Sequence, residues 1–316
     1  LTAYILRRLI LLLPVMLVVG VVVFTLIHLT PGDPASVIAG PDATDEQVEE
    51  MRERLGLDEP LYMQFVHWFG GVLRLDFGDS IFLGQPVTEA LRDRAQPTLL
   101  LTLYALTLSV LIGFPAGVIA ATRRNSLLDR GLMVLSVGGA AIPSFFLGIL
   151  LIMLFAVQLG WLPAGGFVEL TEDPIEHFKH MILPTIGLGF ASAALLARLV
   201  RSSMLEVMRE DYVRTAYAKG LRERSVVIRH ALRNALIPAI TVLGTSLGAL
   251  LGGAVVTETV FNIPGMGRLV VQSIARRDFP IIQGAIMTIA AAHVLANLLV
   301  DVLYVYVDPR VRYGGD

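Results

Sequence analysis

The sequence contains no cysteine and only two lysines, Lys179 and Lys219. The first absence excludes disulfides, thiolate nucleophiles and Cys-ligated metals, and it leaves the redox compartment unreadable. The second bears on nucleotide chemistry. A phosphate-cradling loop of the form Gly-x-x-x-x-Gly-Lys-Ser/Thr needs a lysine framed by glycine before it and a hydroxyl after it. Neither lysine has that frame, so the chain is not expected to hydrolyse ATP by that mechanism. Charge is scarce as well: 16% of residues are charged against 55% hydrophobic, too little polar surface to cover a water-soluble protein of 316 residues. The net charge of −2 says little, because the two signs are segregated along the chain.

What is present is a series of long uncharged stretches: Leu9–Leu29, Pro97–Thr122, Gly131–Val168, His180–Ala197, Asn234–Thr257 and Phe279–Val300. Crossing ~30 Å of hydrocarbon at about 1.5 Å per residue takes about 20 residues. The third stretch is expected to be a helix ending near Trp161, followed by an exit loop. The fourth is short and is expected to continue past Arg198. The fold class predicted is therefore all-α integral membrane with six transmembrane helices. Arg7-Arg8 before an apolar run resembles a signal peptide, but the run is too long and no small-residue cleavage site follows it, so it is read as a retained first span.

Basic residues set the orientation. With both ends inside, the segments 1–8, 123–130, 198–233 and 308–316 hold 16 of the 25 basic residues. The outside segment 31–96 carries 13 acidic residues against 5 basic ones. The expected organisation is a first helix over 1–30, an extracytoplasmic cap over 31–96, a five-helix core over 97–307 that includes the loop 198–233, and a cytoplasmic tail over 308–316. Within the cap, Pro31-Gly32-Asp33-Pro34 stops the first span. Thr44 and Gln47 make a capping-box pattern before Val48, Met51 and Leu55, with Gly56 as the stop. Tyr62, Phe65, Trp68 and Phe69 form an aromatic band suited to a membrane–water interface. Either a cap packed on the bundle or a partner-docking surface fits this segment.

The loop Asp211-Tyr-Val-Arg-Thr-Ala-Tyr-Ala-Lys-Gly-Leu221 reads as a helix ended by Gly220, followed by a second helix that re-enters the membrane with Pro238 just inside it. On physical grounds it is either an ordinary basic loop or a helix that slots into a groove on another protein.

This stretch resembles the coupling loop of ABC-importer permeases, in the dipeptide/oligopeptide variant. Tyr212, Arg214, Thr215, Ala216, Ala218, Lys219, Gly220, Leu221, His230, Ala231, Leu232, Ala235 and Pro238 stand in the motif's places. Arg214 departs from the broad motif's glutamate, and Tyr217 from the family's frequent arginine; the glycine and its spacing are intact. The resemblance runs through the chain, in Tyr4-Ile-Leu-Arg-Arg-Leu9, Pro31-Gly-Asp-Pro34, Leu57 to Ser80, Ala141-Ile-Pro-Ser-Phe-Phe146, Glu258 to Leu269 and Tyr306-Val-Asp-Pro-Arg310. It implies a type I permease fold in the cell inner membrane, as the first permease of a heterodimer. It further implies a second homologous permease, two cytoplasmic ATPase subunits that bind ATP and Mg, and an extracytoplasmic solute-binding protein. The transport subunit itself would be no enzyme and hold no cofactor, with membrane lipid around it and no nucleic-acid partner. Asp211, Tyr212, Arg214, Thr215, Ala216, Lys219, Gly220 and Leu221 would couple to an ATPase. The cargo would be dipeptides or short oligopeptides, with nickel, glutathione or haem as alternatives among the family's relatives.

Other constellations carry less. Gly244-Thr-Ser-Leu-Gly248 matches a nucleophile pattern, with His293 in the next span, which an intramembrane serine protease could use. A nucleophile elbow needs a strand-to-helix turn, however, and Gly244, Gly248 and Gly252 recur as a small-residue helix face. His28, His293 and Asp301 are ionisable groups in or at the edge of spans. Asp301 is expected to reach water or an arginine, His28 to be interfacial, and His293 is the candidate for a polar pathway. His177 and His180 alone make no metal site. Glu258, Asn262, Pro264 and Gly265 lie in a turn that is either a re-entrant plug or an outer gate touching the binding protein.

Overall fold

The computed structural model describes residues 2–29, 34–39, 43–54 and 56–307. The turn at 30–33, Leu55 and the tail from 308 lie outside the described residues. Helix follows helix in chain order: α1 (Thr2–Leu29), α2 (Pro34–Ala39), α3 (Asp45–Arg54), α4 (Leu61–Leu73), α5 (Val87–Thr122), α6 (Leu127–Ala141) and α7 (Ser144–Leu151). Then come α8 (Pro174–Val207), α9 (Asp211–Ala218), α10 (Glu223–Ser225), α11 (Leu232–Val260), α12 (Met266–Arg276) and α13 (Phe279–Val307). Two π-helical segments, Ile152–Gln158 and Val226–Ala231, extend α7 and lead into α11. Among the described residues there is no strand, only a single bridge between Asp79 and Pro86.

Among the described residues four helices are long and apolar enough to cross a membrane: Val87–Thr122, Pro174–Val207, Pro238–Val260 and Phe279–Val300. A fifth candidate is a broken pair. The stretch expected to form one helix to Trp161 is interrupted at Ile142-Pro143, and the helices on either side are bent by 104°. Proline disfavours the helical conformation at the residue before it, and at this position the helix breaks. Ile142 is accordingly extended, with ψ 123°, and its amide closes the end of α6 on Gly138 O. In α1 the apolar part is the shorter Ile10–Leu26. The fourth stretch begins earlier than expected: Asp173 caps α8 by accepting from the amides of Ile175 and Glu176, and Pro174 takes the first helical position, where its missing N–H costs nothing.

The chain divides into two units, residues 1–96 with 268–294 and residues 97–267 with 295–316. In the first, the Thr44–Gln47 capping box forms as the sequence suggests: Thr44 N donates to Gln47 Oε1 at 2.9 Å and Gln47 N to Thr44 Oγ1 at 3.4 Å. The aromatic band folds inward at three of its four positions. Phe65 stacks on Phe69 with centroids 5.5 Å apart, and Phe24 meets both Phe65 and Trp68. Tyr62 stays exposed. Asp278 is buried and caps α13, accepting from Ser80 Oγ at 2.5 Å and from the amides of Ile81 and Phe82.

In the second unit α5 and α8 touch backbone to backbone. A methyl group at Gly113 would lie 2.5 Å from Ala193 O, one at Gly117 2.6 Å from Ala197 O, and one at Gly189 2.8 Å from Ala105 O. Ser109 Oγ donates across this seam to Gly189 O at 3.0 Å. Around it lie two apolar cores: one with Leu101, Met181, Leu183, Leu250 and Phe261, the other with Leu196, Val200, Met204, Val227 and Ala235. Of the expected glycine face on α11, Gly244 packs against Val300, whereas a methyl at Gly252 would meet open space, so the close contact is made at one end of that row.

The α5–α8 seam makes a prediction. Gly117→Ala should destabilise the protein by about 1–3 kcal/mol through overpacking, read as a lower thermal midpoint in detergent. Gly131→Ala, where nothing lies within 4 Å, should be neutral or stabilising by up to about 1 kcal/mol.

Candidate functional site

α8 runs out to Val207, and after three intervening residues α9 begins at Asp211. α9 is an eight-residue helix with one apolar face. Val213 and Ala216 are buried against Val226, with Val207 and Met208 packed alongside. That contact fixes the helix on the end of α8. Of the residues singled out in the sequence, Ala216 therefore belongs to the anchoring face. Asp211, Tyr212, Arg214, Thr215, Lys219, Gly220 and Leu221 are all exposed. Arg214 Nη1 lies 3.3 Å from Asp211 Oδ1, an exposed pair worth little by itself. Tyr212 OH accepts from Asn234 Nδ2 at 2.7 Å, tying the exposed side of α9 to the first turn of α11. Burial pushes the Tyr217 hydroxyl above its usual range, and Glu223 adds to the effect.

The end of α9 shows why glycine stands at 220. Gly220 N donates to Tyr217 O at 2.9 Å and Leu221 N to Ala216 O at 3.3 Å, the paired bonds of a Schellman stop. Gly220 has φ 75°, and a methyl there would meet nothing within 4 Å. The requirement is torsional and not steric.

The segment from Glu258 to Met266 is knitted around a buried carboxylate. Glu258, in the last turn of α11, is fully buried and accepts from Thr98 Oγ1 at 2.6 Å. Thr98 Oγ1 in turn accepts from Met266 N at 2.9 Å, and Ile263 N donates to Glu258 O at 2.9 Å. Gly265 is pressed against the Glu258 carboxylate so closely that no side chain fits. Asn262 takes the left-handed conformation with φ 54°, and it is the exposed member of the four residues singled out; Pro264 is half-buried and Gly265 buried. The neighbouring loop joins this structure, since Gly166 N donates to Phe261 O at 2.8 Å.

Two further polar contacts escaped the sequence reading. His177 is buried, with Nδ1 2.6 Å from Val168 O and Nε2 3.1 Å from the Tyr104 hydroxyl, so it pins the loop before α8 to α5. Arg201 pairs with buried Asp129, 72 residues away. His293 is half-buried within α13. The side chains of His28 and Asp301 lie outside the described residues. Ser246 sits inside the unbroken α11, not on a strand-to-helix turn. Among the described residues no three His, Cys, Asp or Glu groups gather as a metal site would need.

Comparison with known proteins turns this geometry into a family. The model described as binding-protein-dependent transport system inner membrane component matches residues 113–313, and its N-terminal companion matches residues 1–102. A protein of Sinorhizobium fredii named as a probable peptide ABC transporter permease is 49% identical over 310 residues, 98% of this chain and 99% of its own length. The glutathione transport system permease of Escherichia coli K12 is 46% identical over the same shares. Among solved structures, a chain of the MetNI methionine ABC transporter in an inward-facing form matches with TM-score 0.55 at 19% identity, covering 69% of this chain and 96% of that one. That likeness speaks for the fold. The chain is thus an integral-membrane component of a binding-protein-dependent transport system. More narrowly, it belongs to the peptide ABC transporter permease family, a transport subunit and not an enzyme.

The Glu258 network gives the second prediction. Thr98→Val removes a donor from a buried carboxylate and should cost about 1–3 kcal/mol. Hydrogen exchange at the Met266 amide should accelerate, while exchange in α9 stays unchanged.

Proposed function

We propose that this chain is one of the two permeases of an ATP-driven type I importer that translocates dipeptides or short oligopeptides by alternating access. The observation that carries the proposal is α9: a short helix anchored by Val213 and Ala216, held off the body by the Gly220 turn, with Tyr212, Arg214, Thr215, Lys219 and Leu221 turned outward. In this reading that outward face docks in a groove of one ATPase subunit, where ATP and Mg are bound. A second, homologous permease completes the pathway. A solute-binding protein delivers the cargo on the side of residues 31–96, which form an extracytoplasmic cap. Six spans follow if α1 and the broken α6–α7 pair are each counted once with the four long helices, and both ends are then cytoplasmic. The segment Glu258–Gly265 serves as the outer gate, and His293 faces the pathway.

Glutathione is the second cargo reading, favoured by the 46% identity to a glutathione permease. It is itself a short peptide with a free amine and carboxylates, so the same pathway chemistry serves both.

Two outcomes test the function. Gly220→Val should cut ATP-dependent uptake in cells by about tenfold or more, because strain of about 1–3 kcal/mol falls on the turn. Gly220→Asn should be much milder, since asparagine tolerates the left-handed region. Equal uptake by the valine variant and the wild type would remove the coupling assignment. The purified chain alone should show no ATP hydrolysis; turnover without the other subunits would overturn the division of labour.

A further inference from the structure

Asp129 and Arg201 form a contact that the docking of α9 does not by itself require. Ser126 caps α6 by accepting from Asp129 N. The Asp129 carboxylate, almost wholly buried, accepts from Arg201 Nε at 2.6 Å and from Arg201 Nη2 at 2.8 Å. Oδ2 also accepts from Asn125 N at 2.9 Å, and Asn125 takes φ 63° to present that amide. One carboxylate therefore closes the turn between α5 and α6 and grips α8 with a side-by-side guanidinium fork. Such a fork is directional, unlike a point contact through lysine.

Its location matters more than its strength. Arg201 lies six residues before the end of α8 at Val207. Beside Arg201, Val200 and Met204 pack in the core with Val227 and Ala231, and further along the chain Val207 and Met208 pack on Val213 and Ala216 of α9. The end of α8 is thus fastened both to α9 and, through Arg201, to the start of α6. Apolar contacts can slide, whereas a buried ion pair with two directed hydrogen bonds resists shear, because separating it exposes an unpaired charge to a poor solvent.

We infer that the Asp129–Arg201 pair is the joint that makes the start of α6 move as one body with the α8 end that bears α9. Resting on the transport reading above, the inference assigns Asp129 and Arg201 as positioning residues for coupling, with no contact to cargo or nucleotide.

The absence of cysteine makes the test direct. Nitroxide labels on Val134→Cys in α6 and Glu206→Cys in α8, both exposed positions, report one intramolecular distance by double electron–electron resonance. The labelled chain is reconstituted in proteoliposomes with its second permease, ATPase subunits and binding protein, with dialanine and glutathione as probes. With the pair intact, the distance should be the same in the nucleotide-free and vanadate-trapped states. In Asp129→Asn it should differ between the two states, and ATP hydrolysed per probe molecule transported should rise about tenfold. If the asparagine variant fails to assemble, Arg201→Lys, which keeps the charge and loses the fork, should give the same two changes in smaller measure. A distance that varies between states with the pair intact, or stays constant without it, overturns the inference. So does an equal fall of uptake and hydrolysis, which is what a merely weakened fold would give. Failure of the transport reading shows separately, as no uptake of either probe by the assembly with the pair intact.

Discussion

The backbone approach of α5 to α8 is the constraint on which the second unit rests. In an apolar solvent there is little hydrophobic drive to bring two helices together, so contact depends on packing and on small residues that let backbones close in. Gly113, Gly117 and Gly189 provide that approach, and Ser109 adds a hydrogen bond across it. With its 34 residues α8 is about 50 Å long at the usual rise, more than the thickness of a bilayer's hydrocarbon core. One end therefore stands among the loops near His177 and the other beneath α9, joined by a rod whose middle is clamped.

The glycines of this chain do two different jobs, and only the structure separates them. At Gly117 the torsions are ordinary and space is missing; at Gly220 space is ample and the torsion is special. In the sequence Gly220 is marked as a helix stop, whereas nothing near Gly117 shows that a backbone from 80 residues away presses on it. The distinction decides which residues could replace them: an asparagine suits one site, and no larger residue suits the other.

Much of the architecture was legible where the cause is local. The Thr44–Gln47 box, the Gly220 stop and the apolar helices follow from spacing and composition within a few residues. The bend at Ile142-Pro143 was not legible from hydropathy, because an uncharged stretch looks the same whether the chain crosses the membrane or turns through 104° within it. The early start of α8 was hidden because Glu176 and Lys179 interrupt the apolar run while the helix continues through them; its run past Arg198 was expected. In the candidate site, the exposed face of α9 could be guessed from the motif, but the burial of Ala216 and of Glu258 could not. Both depend on neighbours distant in sequence, as does the pairing of Asp129 with Arg201.

The buried carboxylates show how this fold handles charge. Asp129 and Asp278 sit at helix N-termini, where the free amides and the helix dipole favour a negative group; Asp129 also fixes the turn before its helix, and Asp278 the sequence-distant turn at Ser80–Phe82. Glu258 lies at the opposite end of its helix, in the last turn of α11, where the dipole opposes it. The Thr98 hydroxyl of α5, itself accepting from the Met266 amide of the following segment, donates to the carboxylate and offsets that disadvantage. All three acids therefore act near helix ends, beside the loops. Placed this way, the buried acids concentrate directed polar contacts at helix ends, where helices must hold their angles against the neighbouring loops.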